Sequence, residues 1–386
     1  MPNRFEQRPT VAIIDLDNLA FNYHSVKAFL KPGLRIMAVV KADAYGHGAV
    51  ECAGRLEAEG VDWFAVALPE EGAELRAAGI RKPILCLGGF WPGQEDLLIE
   101  NELVPAIFSI DMARSLNEAA KSHESILPIH VKVDTGMGRL GLGLKDVESF
   151  VASLLPLKNL RVEGLMTHFA AADDPLENDF TNSQIKKLAA TVEVLQRFGI
   201  DPEIIDMANS PAAIVHPGSV GNMVRLGGIL YGLGEDILPR ESRKPDLRPV
   251  MSLRSKISHL KHVSAGESLG YGRTFVTARK SLIATVPIGY HDGYPRSLSN
   301  SARVIINGVY APVVGRISMD WTIVDVTDVP QTAMFDDVTI LGSAGDLTVT
   351  AAELAGTIGT ISYEITCGIH SRVARNFVGD NSWTPS

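Results

Sequence analysis

Between residues 35 and 230 the chain repeats one pattern eight times: a short apolar run, then an amphipathic stretch. The runs span 36–40, 63–68, 84–87, 103–108, 126–133, 162–166, 204–207 and 223–226, each bounded by charge, Gly or Pro. Apolar runs of that length match strands buried on both faces, as in parallel sheets. Between them apolar residues return at helical spacing. Ala49, Cys52, Ala53 and Leu56 follow the first run, and Ile185, Leu188, Val192 and Leu195 precede the seventh. Eight such alternations predict an α/β fold of the (β/α)8 TIM-barrel type. An open doubly wound sheet is disfavoured because no early GxGxxG fingerprint occurs. An extra strand at 11–14 precedes the barrel, and the segment 15–18 reads as the cap of the first helix.

After about residue 245 the pattern changes. The segments 252–263, 282–286, 304–306, 312–314, 322–326 and 338–341 read as strands separated by Gly, Asn or Asp turns. Only 350–358 reads as a helix, with Thr350 as its cap. Two domains are therefore expected: a barrel over 1–240 and a mainly β domain over 245–386, on which the N-terminal strand packs. The polar stretch 234–248, with two prolines, links them. The 386 residues suffice for a barrel of roughly 250 residues and a second domain of about half that size.

Charge and cysteine usage narrow the function classes. With 45 acidic against 36 basic residues the formal net charge is −9, which argues against nucleic acid or an anionic membrane as partner. No stretch approaches the roughly 18 apolar residues of a membrane span. The first eight residues lack the apolar core of a secretory signal. Cys52, Cys86 and Cys367 are odd in number, far apart and in no CxxC pair. That pattern fits reduced thiols in the cytoplasm and gives neither a disulfide framework nor a metal site.

In a barrel, chemistry gathers where strands end and loops begin. The first run ends in Lys41, within AVVKADAYGHG at 38–48. A lysine held there, partly desolvated, can lose its proton and form a Schiff base. Alone, the run equally describes a surface lysine closing a strand. The other polar residues at strand ends are Tyr45, Lys132 with Arg139, His168, Asn209 with Ser210, and Arg225 with Gly227 and Gly228. A lysine nucleophile, a flat stacking partner, an arginine and small phosphate donors together suit pyridoxal 5'-phosphate. Each residue alone has an ordinary structural explanation; their joint placement carries the argument.

These residues lie in motifs that resemble those of the alanine racemases. Besides 38–48, the resemblance takes in HVKVDTGMGRLG at 130–141, EGLMTHF at 163–169, ANS at 208–210, NMVRLGG at 222–228 and YGL at 231–233. It continues through GYG at 270–272, IGYHDGYPR at 288–296, VGRISMD at 314–320 and ISYEI at 361–365. The resemblance covers nearly the whole chain in order. It implies that Lys41 holds pyridoxal phosphate, that Tyr45, Ser210, Tyr363 and the backbone at Gly227 and Gly228 hold its phosphate, and that His168 lies against its ring. Arg139 would face the substrate carboxylate, with Asn209 in support. Met319 and Asp320 would line the substrate entrance, supplied with Tyr271 by a second subunit of a homodimer with shared sites.

The resemblance also implies a mechanism. Racemisation removes the α-hydrogen from one face and returns it to the other, and one base per face is the simple arrangement. Lys41 would serve the face of D-alanine's proton and Tyr271 that of L-alanine's. A tyrosine base needs its phenolate favoured, by a cationic cofactor and Arg/His neighbours, and a chain from Tyr271 through His168 to Arg225 would do this. Arg225 would stand at the pyridine nitrogen and, able only to donate, leave it unprotonated. Lys132 would carry a CO₂ adduct and orient Arg139; the simpler alternative is an unmodified lysine paired with Asp134 or another carboxylate. The expected activity is racemisation of alanine, supplying D-alanine for bacterial peptidoglycan. A serine or broad-specificity racemase stays open, as do a barrel-type decarboxylase and a non-catalytic pyridoxal-phosphate carrier.

Overall fold

The computed structural model describes residues 8–380 apart from 220 and 240. Residues 1–7 and 381–386, on which the signal-segment reading and the outer domain edges partly fall, lie outside the described residues. The chain divides into two compact units. One takes residues 8–18, 45–48 and 248–380; the other takes 19–44 and 49–247.

The second of these is the barrel. Its strands are Arg35–Val39, Trp63–Val66, Ile84–Cys86, Leu103–Ile107, Leu127–Asp134, Leu160–Met166, Ile204–Ala208 and Met223–Leu226, all paired in parallel. The ring closes because Met223–Leu226 also pairs with Arg35–Val39. Four of the strands, Trp63–Val66, Ile84–Cys86, Leu103–Ile107 and Met223–Leu226, are buried at every residue. That is why the sequence shows unbroken apolar runs there and not alternation. The crossover helices bury one stripe. In Ile110–Ser122 the buried residues Ala113, Leu116, Asn117 and Ala120 recur every three or four positions. Ser109 starts that helix by accepting the Met112 amide at 3.2 Å.

The mainly β unit is built on a sheet ordered Val309–Pro312, Arg303–Ile306, Asp337–Ala344, Met251–Lys256, Val11–Asp15, Ala374–Val378. The N-terminal strand Val11–Asp15 lies in its interior, antiparallel to Met251–Lys256 and parallel to Ala374–Val378. Asp15 then accepts the Asn18 amide at 2.9 Å and starts the first helix, Leu16–Phe29. A smaller sheet joins His259–Val263, Ser281–Val286 and Thr322–Asp325.

Three expectations need correction here. The segment 252–263 is two strands, Met251–Lys256 and His259–Val263, belonging to different sheets. The strand expected at 312–314 is Val309–Pro312, which forms a hairpin with Arg303–Ile306. Its turn is Asn307-Gly308 at φ +48° and +78°, a pair whose left-handed conformation makes a tight hairpin. Finally, Ala351–Ile358, capped by Thr350, is followed by a second helix, Ser362–Cys367, too short for periodicity to reveal.

Candidate active site

The strand Arg35–Val39 stops two residues before Lys41, so Lys41 opens a helical turn and does not end the strand as expected. The following turn, Lys41–Gly46, is helical but left-handed. Ala42, Asp43, Ala44 and Tyr45 have φ between +52° and +56°, and Gly46 continues at +85°. Left-handed helix costs side-chain-bearing residues roughly 1–2 kcal/mol each, so four in succession persist only where surrounding contacts impose them. The contacts are present. The Ala44 amide donates to Val40 O at 2.9 Å, and Asp43 Oδ1 accepts the Ala49 amide at 2.8 Å. Behind the strand, Tyr231 donates to Val39 O at 2.9 Å from full burial. Gly46 is obligatory, because a Cβ there would lie 2.2 Å from Thr366 O.

Arg225 is buried in Met223–Leu226, the strand that pairs with Arg35–Val39 where the barrel closes. Between Met223 and Val224 the ladder with Ile204–Ala208 slips, so that Asp206 faces Met223 and Ala208 faces Val224. A bulge of this kind re-aims side chains and frees carbonyls. The guanidinium takes them up: Nη1 donates to Asp206 O at 3.3 Å and Nη2 to Met207 O at 3.4 Å. It also forms an ion pair with the fully buried Asp206 carboxylate. Burial pushes that carboxyl's pKa up while the Arg225 charge opposes the rise.

Nη2 of Arg225 further donates to Thr167 O at 2.9 Å and meets His168 Nδ1 at 3.0 Å. Arginine can only donate, so Nδ1 accepts and a neutral ring carries its proton on Nε2. Burial, followed by the charges of Arg225 and Arg139, lowers the His168 pKa to about 2. His168 is therefore a neutral imidazole.

Lys132 lies in register with Met166, and Met166 with Asp206, along adjoining strands. The Lys132 amine donates to Leu87 O at 2.8 Å. Burial, then Arg225, Arg139 and Lys41, bring its pKa down to about 8. Asp134, suggested as its partner, instead accepts the amides of Gly136 at 2.9 Å and Gly138 at 3.0 Å. That holds the loop carrying Arg139, which is exposed. The His168 loop is tied from the helix Asn178–Arg197, where Gln184 donates to His168 O at 3.1 Å and to Thr135 Oγ1 at 3.1 Å.

Asn209 caps the helix Ser210–Val215 by accepting the Ala212 amide at 3.1 Å. Ser210, buried, accepts the Gly227 amide at 3.0 Å, which brings a hydroxyl against the start of the turn Gly228–Tyr231. Arg225, Arg139 and Lys41 all act electrostatically on Lys132, as does Asp206 with opposite sign, so four basic side chains share this end of the barrel with one carboxylate. A surplus of positive charge, a primary amine and small phosphate donors are a donor set that fits pyridoxal phosphate. No group of three or more His, Cys, Asp or Glu able to hold a metal occurs among the described residues.

The remaining expected residues are in the mainly β unit. Tyr45 and Tyr363 stack obliquely, ring centres 5.3 Å apart. Tyr271 is 69% exposed between Gly270 and Gly272, both at positive φ. Met319 is exposed, and its carbonyl accepts the His291 amide at 3.1 Å. Asp320 pairs with Arg372 at 2.7 Å, and Arg372 also pairs with the buried Asp292 at 2.6 Å. Burial works against the Asp292 carboxylate, but Arg8, Arg372 and the Gly289 amide outweigh it and hold the pKa below the ordinary value.

Comparison with known proteins agrees with this layout. Residues 14–235 match the family model for the alanine racemase N-terminal domain, and 250–377 that for the C-terminal domain. The chain is 46% identical to the alanine racemase of Syntrophobacter fumaroxidans, over 94% of this chain and 96% of that one. The chain belongs to the alanine racemase family. Among solved alanine racemases, that of Bacillus anthracis with bound L-Ala-P superposes with a TM-score of 0.91 at 35% identity, covering 97% of this chain and 96% of that one. That of Bartonella henselae, with covalently bound pyridoxal phosphate, gives 0.85 at 28%, covering 96% and 99%.

As an alanine racemase, this chain gathers Lys41, Lys132, Arg139, His168 and Arg225 at one end of its barrel. Asp206 escaped the sequence reading although its signal was present: a charged residue inside the buried run 204–207. Thr135, Thr167 and Gln184, which hold the His168 loop, left no comparable signal because their partners are distant in sequence.

Proposed function

We propose that this protein interconverts L- and D-alanine with pyridoxal phosphate held on Lys41. When bound, that cofactor supplies a carbonyl carbon for an amine and a ring that accepts electron density from an adjacent C–H bond. The remaining work falls to the chain. Ser210, the Gly227 and Gly228 backbone, Tyr45 and Tyr363 hold phosphate; Asn209 keeps the Ser210 turn in place. Arg139 takes the substrate carboxylate. Lys41, once free, moves the α-proton on one face, and Tyr271 of a second copy moves it on the other. Met319 and Asp320 of that copy line the approach, so the working unit is a homodimer.

The observation that carries the reading is the contact of Arg225 with a neutral His168. A guanidinium only donates hydrogen bonds, so Arg225 would leave a ring nitrogen unprotonated and favour return of the proton over loss of other groups. His168 offers an Nε2–H that can donate to a phenolate without itself becoming charged. Lys132, partly neutral near pH 8, is suited to take up CO₂ as a carbamate that orients Arg139. The family relation supports a cytoplasmic role in supplying D-alanine for peptidoglycan. No helix among the described residues is long and apolar enough to cross a membrane.

The decisive experiment incubates cofactor-loaded protein with L-alanine in D₂O and follows the α-proton by NMR, with the enantiomers resolved. Loss of the proton together with appearance of D-alanine, both absent in Lys41→Ala, is the expected result. An unchanged α-proton excludes alanine as substrate and turns attention to serine.

A further inference from the structure

We propose that Glu71 is a positioning residue whose carboxylate holds the left-handed turn that aims Lys41. The turn begins at Ala42, whose amide donates to Glu71 Oε1 at 2.7 Å. The other oxygen, Oε2, accepts the amides of Ala67 at 2.7 Å and Leu68 at 3.2 Å. One carboxylate thus joins the residue after Lys41 to the chain leaving the neighbouring strand, Trp63–Val66. That strand is the parallel partner of Arg35–Val39, with Val39 opposite Ala65.

Glu71 also lies in the first turn of the helix Pro69–Ala77, where a carboxylate is stabilised by the unpaired amides of the helix start. A cap alone would need only Oε2. The bond from Oε1 to Ala42 reaches 29 residues back along the chain and serves no helix of its own. It ends on the first of four residues in a conformation that side-chain-bearing residues avoid. Among the described residues Glu71 has no cationic partner, so its acceptor capacity goes to these three amides. Glutamine cannot replace it: its amide nitrogen is a donor and would face one of the two sets of N–H groups.

The inference rests on Lys41 being the reactive lysine, and its test separates the two ideas. Hydrogen–deuterium exchange is followed by mass spectrometry on peptides covering 41–48 and 69–77, in cofactor-free and loaded protein. The comparison is of the parent, Glu71→Gln and Glu70→Gln; among the described residues the Glu70 side chain accepts from Gln94 and not from the Ala42, Ala67 or Leu68 amides. For Glu71→Gln the expected result is at least tenfold faster exchange in 41–48 in both forms. A fall in kcat of roughly 10–100-fold should accompany it, with KM for alanine within about twofold, the effect of a misplaced base and not of lost binding. Glu70→Gln should match the parent. If Glu71→Gln does not fold, Glu71→Asp keeps the charge, cannot span both sets of amides, and should give the same local loosening. Parent-like exchange in 41–48 overturns the proposal, as does faster exchange confined to 69–77. Faster exchange in 41–48 in a protein whose parent does not racemise alanine leaves the clamp standing and removes the assigned activity.

Discussion

Nη2 of Arg225 stands 3.0 Å from Nδ1 of His168, and the same guanidinium is paired with the fully buried carboxylate of Asp206. The three residues form a line in which one charge pair is neutral overall and an uncharged imidazole accepts from it. Asp206 therefore does two things. It compensates a buried cation, and it fixes the plane from which Arg225 addresses His168. Beside this pair the ladder slips by one residue at Met207, so that Asp206 faces Met223 and Ala208 faces Val224.

Breaking that pair from one side should be costly. Asp206→Asn leaves Arg225 uncompensated among Lys132, Lys41 and Arg139, and Arg225→Gln leaves a buried carboxylate alone. Losing one partner of a buried ion pair costs about 3–5 kcal/mol. Each variant should show a sharply lower melting temperature, while the double variant recovers much of the loss. Thermal melts of the four proteins check this; additive losses would mean the residues do not act as a pair.

Stability should fall in mild acid. His168 and His130 are buried and neutral, with pKa values brought to about 2 and about 3, in both cases chiefly by burial. The unfolded chain takes up both protons as pH falls below about 6.5, whereas the folded chain does not. Each histidine thus removes about 1.4 kcal/mol per pH unit between roughly pH 6 and 4. Chemical denaturation at a series of pH values should show this slope. His130→Asn should reduce it by one proton, since neither ring nitrogen of His130 has a hydrogen-bond partner to lose.

Lys132 offers a third test. An amine with a pKa of about 8 is partly uncharged at neutral pH, and the uncharged amine is the form that reacts with CO₂. Protein equilibrated with ¹³C-labelled bicarbonate should show a carbamate carbon resonance that is missing from Lys132→Ala. Activity of protein stripped of CO₂ should be restored by bicarbonate in the parent alone. No labelled carbon on Lys132 would return it to the role of an unmodified lysine bonded to Leu87 O.

Much of this site was legible in the sequence because strand ends are legible. A barrel strand is a short apolar run, and the polar residues near its end are delivered to one rim; that logic singled out Lys41, His168 and Arg225, although Lys41 and His168 lie two residues past their strands and Arg225 lies inside Met223–Leu226. Conformation at the rim was not legible. Nothing in Ala42-Asp43-Ala44-Tyr45 favours left-handed φ, since the turn is imposed by contacts such as the Glu71 carboxylate from elsewhere in the chain. Nor could spacing reveal that His168 is neutral, because its protonation follows from burial and from the approach of Arg225. The hairpin at Asn307-Gly308 is the opposite case: the local signal was sufficient, and the strand was placed three residues too late.

The shared site makes a prediction that neither subunit alone can satisfy. If Lys41 of one copy works with Tyr271 of another, Lys41→Ala and Tyr271→Phe each disable both sites of their own homodimer. A mixed dimer holds one site with both substitutions and one with neither. Random reassociation of equal amounts makes half the dimers mixed, so activity should return to about a quarter of the parent value. The Tyr271 side chain, 69% exposed beside Gly270 and Gly272, is free to reach a second copy. Dissociating the two inactive variants in mild denaturant, mixing them, and assaying after removal of denaturant performs the test. Recovery should depend on the mixing ratio and peak at equal amounts. A mixture that stays as inactive as its parts would mean that both bases come from one chain, and would place Tyr271 outside the reaction.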